Sequence, residues 1–224
     1  MKLYMHPVST ASRPVRLLIA EAGIKCDEEI VDILKGAHYQ EPYASLNPNR
    51  LVPMLEDGDF RLTESSAILK YLADRYDLPS YPKDLKKRAK VNEMMDWFNT
   101  HFYHDYGYGV VYPQIYPHHK RPSDEVQKGT IAWAKELTKK WLQVLNDHIL
   151  GTKNKYVTGD QITIADYFGA ALLTCGDPIR TEFKAYPNVV AWLTRMEGTP
   201  NWKKVNEAMY GFRDYLKEQQ FDTI

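Results

Sequence analysis

The sequence has 224 residues, and its 29 Lys and Arg are balanced by 29 Asp and Glu, so the formal net charge is zero. A chain without a basic excess lacks the electrostatic signature of a protein that binds nucleic acid or anionic membranes. Hydrophobic residues make up 44% and charged residues 26%, which is typical of a folded globular chain and not of a disordered one. The composition predicts a folded protein with neither a nucleic-acid nor a membrane partner.

The chain shows no sign of secretion or membrane insertion. Its N-terminus, MKLYMHPVST, lacks the apolar core of a signal peptide. The longest apolar stretch, Tyr167 to Leu173, is much shorter than the roughly 20 residues that cross a bilayer. Cys26 and Cys175 are too few for a disulfide framework or a cysteine-rich zinc site. We therefore expect a cytoplasmic protein without a metal ion.

The first part of the chain alternates strand and helix patterns. The apolar residues of Lys2–Met5 predict a first strand, and Glu29–Ile33 predict a second. Between them we expect a helix with Ser12 as its N-cap and Gly23 at its end. The apolar residues of this helix recur at the spacing of one helical face: Val15, Leu18, Ile19 and Ala22. Together these elements form a βαβ unit.

A hairpin and a second helix follow. Val52–Leu55 and Phe60–Leu62 flank Asp57-Gly58, which is a strong hairpin signal. Ser65 then stands at the N-cap position of a helix with an apolar face. The order β-α-β, an irregular stretch and then β-β-α is the order of a thioredoxin-like domain. We therefore predict an α/β fold for this part of the chain.

The remainder of the chain carries helical patterns and few strand signals. Two prolines between Asp77 and Asp84 predict an interdomain linker, so we place a thioredoxin-like domain at 1–78, the linker at 79–86 and an all-α domain at 87–224. One long helix is expected to end at Pro113.

Two further helices of this part have clear signals. A second long helix is predicted over Asp124–Leu150, with Trp133, Leu137 and Trp141 near one face. Thr163-Ile164-Ala165-Asp166 is a capping box that opens a shorter, apolar helix.

Three segments of the first domain are candidates for chemistry. Ser9–Ser12 lies between a strand and a helix, where backbone N–H groups and the helix dipole stabilise an anion and a hydroxyl adds a directed hydrogen bond. Pro53 follows an extended apolar residue and is a candidate cis proline, which would turn the Val52 backbone outward as an edge for a peptide ligand. Thr63–Ser66 opens a helix and offers groups for a carboxylate and an ammonium. Taken singly, each segment is better explained by an ordinary turn, a trans proline or a helix cap.

Together, these segments resemble the glutathione-binding half of the cytosolic glutathione transferases. The similarity is carried by LYMHPVSTASRPVRLLIAEAGI, NPNRLVPMLEDG and LTESSAILKYLADRY in the first domain and by GDQITIADYF in the second. The chain is most similar to the serine-type delta/theta branch. The resemblance implies a two-domain fold, a homodimer and glutathione as co-substrate.

The resemblance also implies roles for individual residues. Ser9 corresponds to the serine that hydrogen-bonds the glutathione sulfur, with Thr10 and Ser12 as alternatives. The other positions that correspond to glutathione contacts are His38, Arg50, Val52, Pro53, Glu64, Ser65 and Ser66. His104, Tyr108, Tyr112 and Tyr116 recur every four residues in the region that the family uses for the electrophile. These four are equally consistent with packing or a dimer contact, because four-residue spacing drifts around a helix.

We expect an enzyme that ionises glutathione and adds it to small hydrophobic electrophiles, the chemistry of detoxification. One alternative is a non-catalytic glutathione-binding or interaction module of the same fold. Another is a glutathione-dependent isomerase, dehalogenase or peroxidase, since all of these share the glutathione-binding half. A cysteine-type transferase is not expected, because no cysteine lies near the first helix start.

Overall fold

The computed structural model describes residues 1–224, and all of its strands lie in the first part of the chain. The strands are β1 (Lys2–Met5), β2 (Asp27–Ile30), β3 (Met54–Asp57) and β4 (Phe60–Leu62). The helices of this part are α1 (Ser12–Glu21), a short α2 (Tyr43–Leu46) and α3 (Ser65–Arg75). The predicted order of strands and helices is confirmed.

The four strands form one mixed sheet in the order β2-β1-β3-β4. β1 pairs in parallel with β2 and antiparallel with β3, with Tyr4 opposite Met54. The C-terminal end of β1 therefore lies beside the N-terminal end of β3, and the turns at these two ends become neighbours. Gly58, with a φ of 66°, supplies the left-handed conformation of the β3–β4 turn.

Every element after the sheet is a helix. α4 (Leu85–Trp97) continues through π-helical segments at Phe98–Tyr103 and Tyr106–Val111 into α5 (Tyr112–Ile115). The remaining helices are α6 (Asp124–Val144, extended by a π-helical turn to Leu150), α7 (Ile164–Leu173), α8 (Pro187–Glu197) and α9 (Trp202–Tyr215). None of the helices combines the length and the apolar character that a bilayer span requires. An α/β domain with an all-α partner domain is thus confirmed.

One hydrophobic core joins the two parts of the chain. Its 44 buried residues extend from Leu3 on β1 to Val205 on α9. Helix α1 packs against α3 of the first domain and against α7 and α9 of the second. The side chain of Arg13, which is 1% exposed, crosses this boundary and donates hydrogen bonds to Thr174, Asn206 and the Ala171 carbonyl at 2.7–2.9 Å. The first turn of α1 is therefore held by helices more than 150 residues away in sequence.

Several local predictions are wrong in detail. Ser12 and Ser65 are the first residues of their helices and not the N-caps, which are Ala11 and Glu64. The second strand covers Asp27–Ile30 and not Glu29–Ile33, because the Asp32 carboxylate caps a short 3-10 turn at Ile33–Lys35.

The two long helices also differ from their predictions. The first does not end at Pro113 but continues to Ile115, with the proline in the first turn of α5, where its missing N–H is tolerated. In α6, Trp133 is 64% exposed and the buried positions are Ile131, Ala134, Thr138 and Leu142.

Candidate active site at the start of helix α1

The turn between β1 and α1 presents a hydroxyl at a helix N-terminus. The Ser9 amide donates to the His6 carbonyl at 2.9 Å, and the Ser12 amide donates to Ser9 Oγ at 3.2 Å. Ser9 Oγ thus accepts one bond from the first turn of α1, while its own proton has no acceptor in the chain. An anion beside Ser9 would receive this proton and lie at the positive end of the α1 dipole.

The two alternatives to Ser9 have different surroundings. The Ser12 hydroxyl is fully buried and has no hydrogen-bond partner, so it does not reach a ligand at the surface. Thr10 is 6% exposed, and its hydroxyl accepts a hydrogen bond from the Tyr112 hydroxyl at 2.8 Å. Ser9 and Thr10 are the two hydroxyls of this turn that keep a proton for a ligand.

The segment before β3 provides a free backbone edge. The Val52-Pro53 peptide bond is cis, which was the less favoured of the two forms considered from the sequence. The amide and carbonyl of Val52 have no hydrogen-bond partner within the chain. Because β1 and β3 are paired, this edge lies beside the Ser9 turn. An extended peptide placed here would gain two backbone hydrogen bonds.

The start of α3 has a strained residue. Glu64 adopts a φ of 65°, a conformation that costs a non-glycine residue about 1–3 kcal/mol. Its side chain is exposed, while Ser65 is buried and Ser66 is half-buried in the first turn of the helix. The N-terminal amides and these hydroxyls can receive a carboxylate, and Glu64 can receive an ammonium.

His38 and Arg50 lie on the loops between β2 and β3. His38 is 9% exposed, and its Nδ1 is buried without a hydrogen-bond partner in the chain. Burial, together with the nearby His118, lowers the pKa of His38, so its ring is neutral at pH 7. Arg50 is exposed and has a φ of 55°.

A wall of tyrosine rings stands beside the turn. The rings of Tyr108 and Tyr112 are 5.1 Å apart, and those of Tyr112 and Tyr116 are 5.4 Å apart. Tyr108 is 43% exposed, whereas Tyr112 is buried and bonds to Thr10. Burial raises the pKa of Tyr116 to about 12, so its phenol is neutral. The wall is apolar on its ring faces and carries hydroxyl groups, a combination suited to aromatic ligands.

The structure does not bring His104 to this wall. Its ring is 70% exposed, makes no ring contact with the tyrosines and instead bonds through Nδ1 to Asp105 at 2.8 Å. The other Asp105 oxygen accepts from the Trp141 indole of α6 at 2.7 Å. His104 is thus exposed beside Asp105 and is not part of the tyrosine wall.

Two residues at the site were missed by the sequence reasoning. Tyr103 hydrogen-bonds Tyr112, with 2.5 Å between the two hydroxyl oxygens, and the His119 ring lies 5.3 Å from the Tyr112 ring. The π-helical segments change the phase between Tyr103 and Tyr112, so regular helical spacing does not relate them. No group of three or more His, Cys, Asp or Glu side chains is arranged to hold a metal ion.

Comparison with known proteins agrees with this fold. Residues 1–74 match the family model described as glutathione S-transferase, N-terminal domain, and residues 102–200 match the model for the C-terminal domain. Human glutathione S-transferase theta-1 is 30% identical over 96% of this chain and 91% of its own length. Human glutathione S-transferase theta-2 is 32% identical over 88% of this chain and 80% of its own.

Solved structures give the same result. A delta-class glutathione transferase from Nilaparvata lugens has a TM-score of 0.79 and 30% identity, covering 96% of this chain and 98% of that one. Human glutathione transferase theta-2, solved in a complex with glutathione, has a TM-score of 0.81 and 29% identity over 100% of this chain and 93% of its own. The chain belongs to the cytosolic glutathione S-transferase family and is a transferase. The predicted family and enzyme class are confirmed.

Proposed function

We propose that Ser9 hydrogen-bonds the sulfur of glutathione and stabilises its thiolate. The observation that carries this proposal is the Ser9 hydroxyl, which accepts from the Ser12 amide and keeps its own proton without an acceptor. Glutathione would extend from this turn along the free Val52 edge beside Pro53. Glu64, Ser65 and Ser66 would hold its γ-glutamyl end, and His38 and Arg50 its glycine end. No metal ion is required.

The strength of these interactions suffices for the chemistry. A free thiol has a pKa of about 8.5, and lowering it by two units requires about 2.7 kcal/mol. One hydrogen bond to a charged sulfur contributes about 1.5–3 kcal/mol, and the helix dipole adds about 0.3–1 kcal/mol. The thiolate then attacks an electrophile held beside it, and the protein contributes proximity and electrostatic stabilisation without a covalent bond of its own.

The electrophile is proposed to be a small hydrophobic molecule bound against the tyrosine wall. Tyr108, Tyr112 and Tyr116 supply aromatic faces next to Thr10 and hence next to the sulfur position. His104 is included in this pocket only as a sequence-based prediction, since its ring points toward Asp105. Aromatic and halogenated compounds match such a surface.

Replacing Ser9 by Ala tests the sulfur contact. In the wild type we expect bound glutathione to ionise below neutral pH, and in Ser9→Ala we expect its thiol pKa to rise by about two units. Turnover with an activated aryl halide should fall about 100-fold at pH 6.5. The measurements are the thiolate absorbance of bound glutathione against pH and steady-state kinetics.

A matched control removes a hydroxyl at the other end of the predicted glutathione site. Ser66→Ala should raise the KM for glutathione and leave the thiol pKa unchanged. If Ser9→Ala ionises glutathione as the wild type does, Ser9 has no role at the sulfur. If the wild type binds glutathione without ionising it, the binding-module alternative is correct.

We also propose that the protein is a homodimer in the cytoplasm. Leu51 is 60% exposed, although its carbonyl is fixed by the Tyr43 hydroxyl at 2.5 Å and by Asn47 Nδ2 at 2.8 Å. A rigid loop that presents a large apolar side chain to solvent is typical of an interface. Both cysteines are free thiols, as in proteins of reducing compartments.

Leu51→Glu is expected to convert the dimer to monomer. Light scattering should give twice the 26.0 kDa chain mass for the wild type and the single chain mass for the variant, because a buried unpaired carboxylate opposes association. Val190→Glu on α8, also an exposed apolar position, is the control and should remain dimeric. A monomeric wild type, or a dimeric Leu51→Glu, would contradict this proposal.

A further inference from the structure

A chain of three buried hydroxyls links the tyrosine wall to the sulfur-binding turn. The Tyr112 hydroxyl donates to Thr10 Oγ1 at 2.8 Å, and Tyr103 and Tyr112 are joined at 2.5 Å. Their side chains belong to residues that are only 6–9% exposed. The Thr10–Tyr112 bond connects residues 102 positions apart in sequence, so it depends on how the two domains pack.

Counting the protons shows in which direction these hydrogen bonds are donated. Tyr112 has one hydroxyl proton and gives it to Thr10, so Tyr103 must donate to Tyr112. Thr10 Oγ1 therefore accepts from Tyr112, and the proton of the Thr10 hydroxyl has no acceptor in the protein. Aligned hydroxyls polarise one another, which strengthens the final donor.

The same arrangement occurs at the neighbouring residue. Ser9 Oγ accepts from the Ser12 amide and also keeps an unassigned proton. The turn therefore contains two adjacent hydroxyls whose acceptor positions are engaged and whose protons are free. Two such donors at a helix N-terminus match a single anion placed between them.

We propose that Tyr103 and Tyr112 are positioning residues that direct the Thr10 hydroxyl proton to the glutathione sulfur, so that Thr10 is a second donor beside Ser9. This inference rests on the proposed function of the Ser9 turn. Tyr112 would then have two roles: its ring is part of the tyrosine wall, and its hydroxyl affects the ionisation of the sulfur through Thr10.

The groups packed around Tyr112 do not obscure a test by pH. Burial raises the pKa of Tyr103 and of Tyr112 well above the phenol value, so both remain protonated donors in the relevant range. The other ionisable groups that influence Tyr112, Tyr103 or Tyr116 are Tyr108, Cys175, His119 and Arg13. Burial raises the pKa of Cys175, and burial together with His118 and Arg121 lowers that of His119. His119 is present in every variant below, so its titration cancels in the comparison.

The test is the pKa of bound glutathione, measured by thiolate absorbance and by the pH profile of kcat/KM. Tyr112→Phe keeps the ring and removes the donor to Thr10. It should raise this pKa by about one unit, which lowers the thiolate fraction about tenfold at pH values below the pKa. Tyr103→Phe should shift it in the same direction by less. Thr10→Val should raise the pKa of bound glutathione as much as Tyr112→Phe does, and the double variant should raise it no further. Thr10→Ser, which keeps the hydroxyl, should have the wild-type pKa.

Tyr116→Phe is the matched control, because this residue lies in the same wall without a hydrogen bond to the turn. It should leave the thiol pKa unchanged.

If Tyr112→Phe and Thr10→Val leave the pKa unchanged while Ser9→Ala raises it, the proposed second donor is wrong and the Ser9 proposal stands. If none of these variants shifts the pKa, both proposals fail. If only the Thr10 and Tyr112 variants shift it, Thr10 is the principal donor. A melting temperature for each variant identifies any loss of folding, and Thr10→Val and Tyr112→Phe are independent routes to the same result.

Discussion

Asp166→Asn is expected to lower the free energy of unfolding by about 4 kcal/mol. Asp166 is fully buried, and its carboxylate accepts four hydrogen bonds, all at 2.8–2.9 Å: from the Thr163 amide and hydroxyl, the Val157 amide and the Trp192 indole. An asparagine has one oxygen and an NH₂ group, which would face donors in place of an acceptor. Urea unfolding at fixed protein concentration measures the loss.

The dependence of this loss on pH is a second measurement. Burial raises the pKa of Asp166 to about 6, although its hydrogen bonds act in the opposite direction. Because this folded-state pKa exceeds the unfolded value of about 3.9, the stabilising contribution of proton binding is full below pH 4 and is lost as the pH rises through 6. The advantage of the wild type over Asp166→Asn should therefore be about 1 kcal/mol larger at pH 5 than at pH 7.

The control for Asp166 is Asp124→Asn. Asp124 also lies in the first turn of a helix, but its side chain is 85% exposed. Its replacement should cost less than about 1 kcal/mol, the usual size of a helix-dipole effect. A loss at Asp166 no larger than that at Asp124 would show that the buried capping box is not a major source of stability.

Arg13→Lys is expected to cost about 3 kcal/mol and to reduce turnover as well. A lysine ammonium on a flexible stem cannot replace a planar guanidinium that reaches Thr174, Asn206 and the Ala171 carbonyl together. Buried acceptors on α7 and α9 would be left unpaired. Because Arg13 is in the first turn of α1, its loss also loosens the Ser9 turn. Urea unfolding and kcat/KM for glutathione measure the two effects.

Arg16→Lys provides the comparison on the same helix. Arg16 is paired with Glu28 at 2.8 Å near the surface, and such pairs contribute about 1 kcal/mol or less. Equal losses for the two substitutions would contradict the role given to Arg13. Arg13 also influences a half-buried carboxyl: burial raises the pKa of Asp177 to about 6, and the Arg13 guanidinium acts to lower it.

The features predicted correctly from sequence depend on residues that are neighbours in the chain. Asp57-Gly58 is sufficient for the β3–β4 turn, because Gly58 alone supplies the left-handed φ that the turn requires. Thr163 and Asp166 make their capping box within one helical turn. The apolar face of α1 is also local, since Val15, Leu18 and Ile19 are all buried. These signals, together with four family motifs in register, were sufficient for the fold class and the family.

The tertiary structure alone determines the contacts between residues that are distant in the sequence. Thr10 meets Tyr112 because the two domains pack into one core, and π-helical segments precede Tyr112 in its helix. Tyr103 bonds to Tyr112 at the same point, whereas His104 is exposed and pairs with Asp105. Arg13 reaches α7 and α9 only when the two domains share one core. A periodic pattern records which face of a helix is apolar, but not which partner covers it or where the helical phase changes. Those choices come from packing over long sequence separations, so they determine the arrangement of hydroxyls on which the proposed chemistry depends.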